Sequence, residues 1–235
     1  MTDSTLTIEA PEGAAGSAGG AGGTNASASG ADVGRAAVLA HRRSPAQDLA
    51  DEMTQGSGQA VWLRELPFLT QVTLRAQPDG PSSEALAGAL GVGLPTRVGE
   101  VAGAIDGIGV AVLWLSPDEF LAVAPDEAQT GVSPEAWAGR LSTAVGAGPG
   151  QVVDVSANRT TLELSGPRAR SVLEKSCEID LHPRAFPVGT AVVTLLESTG
   201  VIVWRTGEET WRVMPRASFT THVVRWLLDG MREYC

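Results

Sequence analysis

WLSPDEFLAVAP (residues 114–125) and WRTGEETWRVMP (204–215) follow one pattern, and that pattern decides the fold. Each opens on Trp, crosses a short polar turn region and closes on Pro after a second apolar run. Such a stretch is a β-hairpin, because Pro, Gly and Asp supply the turn while β-branched and aromatic residues supply the strands. Working outward, the same order of elements surrounds both. Ahead of the first hairpin, LTQVTLRA (69–76) alternates, with Val72, Leu74 and Ala76 on one face and Thr73 and Arg75 on the other, as in a half-buried strand. SSEALAGALG (82–91) then carries Leu86, Ala89 and Leu90 at helical spacing, and GVAVLWL (109–115) leads into the turn Ser116-Pro117-Asp118-Glu119. SPEAWAGRLSTAVG (133–146) closes the unit as a helix capped by Ser133, with Pro134 in its first turn and a stripe of Trp137, Leu141, Ala144 and Val145.

The second pass repeats this. RTTLELSG (159–166) reads as a strand with Leu162 and Leu164 inward. GPRARSVLEKSC (166–177) reads as a helix whose stripe is Ala169, Val172, Leu173 and Cys177. AVVTLLES (191–198) and VIVWRTGEETWRVMP (201–215) supply strands, and SFTTHVVRWLLDGM (218–231) a last helix capped by Ser218. Its stripe is Phe219, Val223, Trp226, Leu227 and Met231. A duplicated strand–helix–strands–helix unit accounts for this order. The expected class is α+β, with mostly antiparallel sheet and helices on one face, as in ferredoxin-like split βαβ folds. The domain reading follows: a disordered Ala/Gly/Ser-rich tail at 1–34, a lead-in at 35–60, a first half at 61–150 and a second half at 151–235. Within the lead-in, SPAQDLADEM (44–53) reads as a short helix begun by Ser44 and Pro45, or as a frayed approach to the fold.

Composition narrows the function. The 235 residues are 43% hydrophobic, enough for a core, and carry a net charge of −10. An acidic chain does not seek phosphate backbones or anionic lipid, so nucleic acid and membrane are not expected partners. Two cysteines, Cys177 and Cys235, form no disulfide framework and have no metal-ligand spacing. With no secretory signal in MTDSTLTIEAPEG and no run of about 18 apolar residues, the expected location is the cytoplasm.

The search for chemistry finds gaps. Gly91 and Gly93 begin a dinucleotide fingerprint, but Thr96 stands where the third glycine belongs. No phosphate-binding G-x-x-x-x-G-K-[ST] and no G-x-S-x-G elbow is present. His41, His182 and His222 lie far apart and give no metal spacing. Cys177 has Lys175 and Glu178 for neighbours but sits on an apolar stripe at a helix C-terminus, where it reads as core. Asp118-Glu119 and Glu208-Glu209 are turn charges. Trp137 and Trp226 read as core, while other tryptophans are candidates for an interface. No catalytic, cofactor-binding or metal-binding residue is nominated.

One stretch goes beyond pattern. VVDVSANRTTLELSGPRARSVLEKSCEIDLHPRAFPVG (152–189), with its strand, S-G-P helix start, cysteine and D-L-H-P-R-x-F in that order, resembles the gamma subunit family of heterotetrameric sarcosine oxidase. WRVMPRASFTTHVVRWLLDG (211–230) resembles that family's last helix, and the likeness covers about residues 60–230. Ser176 stands where the family often has Gly. The resemblance implies a fold like the folate-binding aminomethyltransferases and a non-catalytic subunit of a complex with alpha, beta and delta partners. That complex oxidises sarcosine to glycine, passes the methyl carbon to tetrahydrofolate and releases hydrogen peroxide. FAD, FMN, NAD, zinc and tetrahydrofolate are implied for the partner subunits, with no cofactor in this chain. A stand-alone aminomethyltransferase-like protein is the alternative. A superfamily assembly factor fits less well, since KSCEID (175–180) lacks the K-G-C-Y-x-G-Q pattern. Within the matching stretch, Asn158, Arg159, His182, Arg184 and Phe186 fall at strand and loop ends and are the candidate partner-interface residues.

Overall fold

The computed structural model describes residues 30–235. Of the tail read as disordered, residues 1–29 lie outside the described residues. Gly30–Ala40 form helix α1, which ends with the His41 N–H donating to the Val38 carbonyl at 3.1 Å. That helix belongs to a first unit ending at His41, and a second unit runs from Arg42 to Cys235.

The second unit opens with a 3-10 turn, Gln47–Leu49, and helix α2, Ala50–Gln55. The order is then β1 (Trp62–Glu65), β2 (Thr70–Ala76), α3 (Pro81–Leu90), β3 (Val101–Gly103), β4 (Ala111–Ser116), β5 (Glu119–Ala124), α4 (Glu127–Thr130) and α5 (Pro134–Val145). It continues with β6 (Gly150–Asp154), β7 (Leu162–Ser165), α6 (Ala169–Glu174), β8 (Thr190–Leu196), β9 (Thr199–Arg205), β10 (Thr210–Pro215) and α7 (Thr220–Met231). The strands make two five-stranded sheets, β1-β7-β10-β9-β8 and β3-β4-β5-β2-β6, in which every pairing is antiparallel. The α+β class expected from the sequence is the class observed.

The duplication is visible in the topology, with one exchange. β1 directly precedes β2 in the chain but pairs with β7, in the other sheet. β6 precedes β7 but pairs with β2. Each half therefore completes the sheet of the other.

Period-2 alternation divides each sheet into two apolar faces. Val72, Leu74, Val112, Phe120 and Ala122 face α3 and α5 in one core, which Leu86 and Leu141 complete. Leu63, Leu162, Leu164, Val203, Trp211 and Val213 face α6 and α7 in another. The remaining faces meet, with Leu113, Leu121 and Val123 of one sheet packed on Ile202, Trp204 and Met214 of the other. Helices cover one face of each sheet, and the sheets cover each other's second face. Trp204 is fully buried there, and removing about 200 Å² of aromatic surface from water contributes roughly 5 kcal/mol.

The faces correct the hairpin alignment. Trp114 and Trp204 match in sequence, yet Trp114 packs against the helices and Trp204 against the opposite sheet. By register and face, Trp204 corresponds to Leu113, and Trp211 to Phe120. A one-residue slip reverses every side chain of a strand, so identity of letters at one offset does not give structural equivalence.

Several local expectations also change. Ser133 does cap α5, accepting the Ala136 N–H at 3.2 Å, but Ser218 does not cap α7, which starts after a 3-10 turn at Ala217–Phe219. Phe219 and Trp226 are exposed rather than buried, and Ala89 is exposed too. Cys177 is buried as expected, but beyond the end of α6, where it bridges Leu196. A frayed approach would leave Ala46, Leu49 and Met53 exposed; they are buried in the core beneath α6 and α7. Ser44 Oγ instead donates to Glu65 at 2.5 Å.

Candidate functional site

The S-G-P start of α6 is built on a glycine that nothing else can replace. Gly166 has φ +116°, and a Cβ there would stand 2.6 Å from the Ala60 carbonyl. Its N–H donates to the Glu209 carbonyl at 2.9 Å, which fixes the helix start against the β9–β10 hairpin.

The D-L-H-P-R-x-F loop comes to the same place. Asp180 Oδ1 accepts the His182 N–H at 2.9 Å, and the His182 carbonyl accepts the N–H groups of Ala185 and Phe186, both at 2.8 Å. His182 Nδ1 accepts the Arg184 N–H at 3.2 Å, so this imidazole shapes its own loop. His182 and Arg184 are exposed, whereas Phe186 is 3% exposed. The Phe186 ring turns inward against Trp211, with centroids 5.4 Å apart and planes tilted by 37°.

Arg205 joins loop and hairpin. It is almost fully buried, its guanidinium carbon lies 5.3 Å from the Trp211 ring centroid, and its donors reach three carbonyls. Nη1 donates to Phe186 at 2.9 Å, Nε to Gly207 at 3.2 Å and Nη2 to Glu208 at 2.8 Å. Between these parts lies an open groove of about 290 Å³, walled by Pro167, Arg170, Pro183, Glu208, Glu209 and Trp211. The Trp211 indole N–H has no acceptor among the described residues. The lining holds no Ser, Cys, Thr or His, and its titratable groups are Glu208, Glu209, Arg170 and Arg205.

Asn158 and Arg159 are elsewhere, at the opposite end of β10, about 20 Å away by strand rise. Arg159 pairs across the sheet with Arg216, and its Nη1 donates to the Met214 carbonyl at 3.1 Å. Gln71 Nε2 donates to the Arg159 carbonyl at 3.0 Å, and Arg216 Nη1 to Asn158 Oδ1 at 3.1 Å. Burial pushes the Arg159 pKa down, and the neighbouring Arg216 adds to this, against a smaller opposing pull from Glu119. The five residues nominated from sequence thus fall into two groups, three beside the groove and two at the far end of the strand.

Sequence reasoning missed the buried arginines. Arg212 lies between the sheets with its guanidinium carbon 4.8 Å from the Trp204 ring centroid, and Nη2 donates to the Gly107 carbonyl at 3.1 Å. Burial pushes its pKa down, while Glu163 and Asp106 oppose the shift. Glu163 stands across from it on β7 and accepts Arg64 Nε at 2.7 Å. The signal was present in the sequence: arginine at inward positions of an apolar strand is rare unless it is paired. Cys177 is buried, and burial pushes its thiol up, with smaller opposing hydrogen bonds from Ile179 and Thr194, a direction that disfavours the thiolate. Among the described residues, no three His, Cys, Asp or Glu side chains converge to hold a metal, and no helix is long and apolar enough to cross a membrane.

Comparison with known proteins follows the same lines. Residues 76–233 match the family described as sarcosine oxidase, gamma subunit family. The chain is 56% identical over 194 residues to the sarcosine oxidase subunit gamma of Arthrobacter sp., covering 82% of this chain and 91% of that protein. Among solved structures, a chain of the heterotetrameric sarcosine oxidase from Corynebacterium sp. U-96, in complex with pyrrole 2-carboxylate, superposes with a TM-score of 0.76. It is 52% identical, with 82% of this chain and 96% of that chain covered. The glycine cleavage system aminomethyltransferase T of Bartonella henselae has a TM-score of 0.54 at 15% identity, over 77% of this chain and 49% of that one, a likeness of fold.

Proposed function

From the premise that the chain belongs to the sarcosine oxidase gamma subunit family, we propose that it is a non-catalytic structural subunit of a flavin-dependent heterotetramer. That heterotetramer converts sarcosine to glycine, passes the methyl carbon to tetrahydrofolate and reduces oxygen to hydrogen peroxide. Its partners are the alpha, beta and delta subunits, and it works in the cytoplasm. FAD, FMN, NAD, zinc and tetrahydrofolate belong to those partners. The observation that carries the reading is the 52% identity and 96% coverage of a chain in a solved heterotetrameric sarcosine oxidase.

The chemistry of the groove supports a supporting role. A dinucleotide or folate tail needs free cations or a glycine-rich helix start to meet its negative charge. Here the Arg205 donors serve backbone carbonyls, and Arg170 is paired with Glu174 at 3.4 Å. Within this chain the buried arginines fix loops and sheets, and the reacting groups are placed in the larger subunits. The test is sarcosine-dependent oxygen uptake by the assembly purified with and without this chain. The reading expects oxidation of sarcosine to require the other subunits and the chain alone to be inactive. Turnover of an N-methyl amine by the purified chain would overturn it.

A further inference from the structure

The far end of the β1-β7-β10-β9-β8 sheet presents a charged face that no described residue covers. Leu195 pairs with Gly200 across β8 and β9, and Pro215 pairs with Val201 across β9 and β10. The next residue, Arg216, therefore lies beside Gly200, and Arg216 bridges Arg159. Alternation puts Leu195, Gly200, Arg216 and Arg159 in one row, on the face that elsewhere packs against the opposite sheet. Val193, two residues from Leu195, shares that face; the two are 55% and 45% exposed. Gly200 adds open space, since a Cβ there would meet nothing within 4 Å.

This arrangement is unfavourable in the chain alone. Like charges directly opposite on antiparallel strands repel. Among the described residues no carboxylate bonds either guanidinium: Arg159 donates to the Met214 carbonyl and Arg216 to Asn158. The nearby acid Glu119 is held by Arg75 at 2.8 Å. In a chain of net charge −10, two adjacent arginines that no carboxylate of the described residues bonds are a departure that calls for a cause.

We propose that this face docks a carboxylate-bearing, otherwise apolar segment of another subunit of the assembly. The inference rests on the structural-subunit reading and deepens it by naming the surface. A carboxylate set between the two guanidiniums accepts from both and removes their repulsion, and apolar side chains beside it cover Val193 and Leu195. The space over Gly200 admits the segment to the sheet. A second copy of this chain is a poorer occupant, because a two-fold contact of the patch with itself would set arginines against arginines.

The test uses the co-expressed assembly and compares retention of the full chain through size-exclusion chromatography. Arg216→Glu replaces an exposed side chain, and Gly200→Phe fills the open space; neither disturbs a buried contact. Both should weaken retention about tenfold or more, the loss expected when a desolvated charge pair or its seat is removed. Arg140→Glu makes the same charge change on α5 and should leave retention unchanged. Circular dichroism of each full-length variant confirms the fold. If the unaltered chain is retained and both variants are retained equally well, the docking face is wrong while the subunit reading stands. If Arg140→Glu strips the chain as readily, net charge is the cause and the proposal fails. Self-association of the full chain that either variant abolishes would name a second copy as occupant and overturn it. If the unaltered chain fails to join any assembly, both readings fall.

Discussion

Arg205 and Phe186 are joined by a 2.9 Å hydrogen bond from Nη1 to the Phe186 carbonyl, and that bond ties the hairpin tip to the loop ahead of β8. The guanidinium fork lets the same side chain serve Gly207 and Glu208 at once. A lysine carries the charge but one ammonium cannot meet three carbonyls in fixed directions. Arg205→Lys should lower stability by about 1.5–3 kcal/mol, the range for hydrogen bonds to a charged group. Urea unfolding of the full chain measures it, and an unchanged midpoint would show that the clamp contributes nothing.

Phe186 was nominated from sequence as a contact for a partner, and the structure gives its ring to the core against Trp211. Phe186→Ala should cost about 3–5 kcal/mol, as for other buried aromatic truncations. It should also shift the tryptophan emission of the folded chain, since Trp211 loses its cover. A substitution that leaves both unfolding and emission unaltered would contradict the packing described.

Two glycines should respond in opposite directions. Gly166→Ala forces a Cβ onto the Ala60 carbonyl at a φ that side chains avoid, so it should destabilise by more than about 1 kcal/mol. Gly200→Ala meets open space in an ordinary strand conformation and should gain about 0.5–1 kcal/mol. Paired thermal melts decide this, and a loss at Gly200 as large as that at Gly166 would refute the local geometry.

The two cysteines should differ in reactivity. Cys235 is exposed and Cys177 is buried with its thiol pushed up. In the folded chain one thiol should react promptly with a disulfide reagent, and a second only on denaturation. The raised Cys177 value also sets a sign. Below the ordinary thiol pKa of about 8.5 both folded and unfolded chains hold the proton, and stability is full. As pH rises past it, the unfolded thiol ionises first, so stability from this site falls with pH. A Cys177→Ala variant should show a flatter alkaline limb; an identical limb would sink the assignment.

The sequence made the elements legible and hid their partners. Alternation in 69–76 located a strand with Val72 and Leu74 inward, and both are fully buried. The hairpins at 114–125 and 204–215 are β4–β5 and β9–β10. Which sheet a strand joins depends on pairings far apart in the chain, so nothing local revealed that β1 sits beside β7 and β6 beside β2. The matched tryptophans misled because one residue of slip reverses a strand's faces. On α7 the apolar stripe was drawn too wide: Val223, Leu227 and Met231 are buried, while Phe219 and Trp226 are not. Local motifs placed His182 and Arg184 on one exposed loop, but could not show that Arg159 lies at the other end of β10 beside Arg216. Arg205 and Arg212 belong to no motif; the burial of Arg212 follows from the stacking of the two sheets and that of Arg205 from the loop at Phe186, which local sequence does not reveal.

The most direct test of the central claim is affinity purification of the tagged chain from its own cells, with an absorption spectrum of the eluate. A structural subunit predicts stoichiometric larger subunits and flavin absorption that none of the variants of this chain's groove abolishes while the complex stays intact. A lone colourless chain that binds folate by calorimetry would contradict the account and point to a stand-alone aminomethyltransferase-like protein.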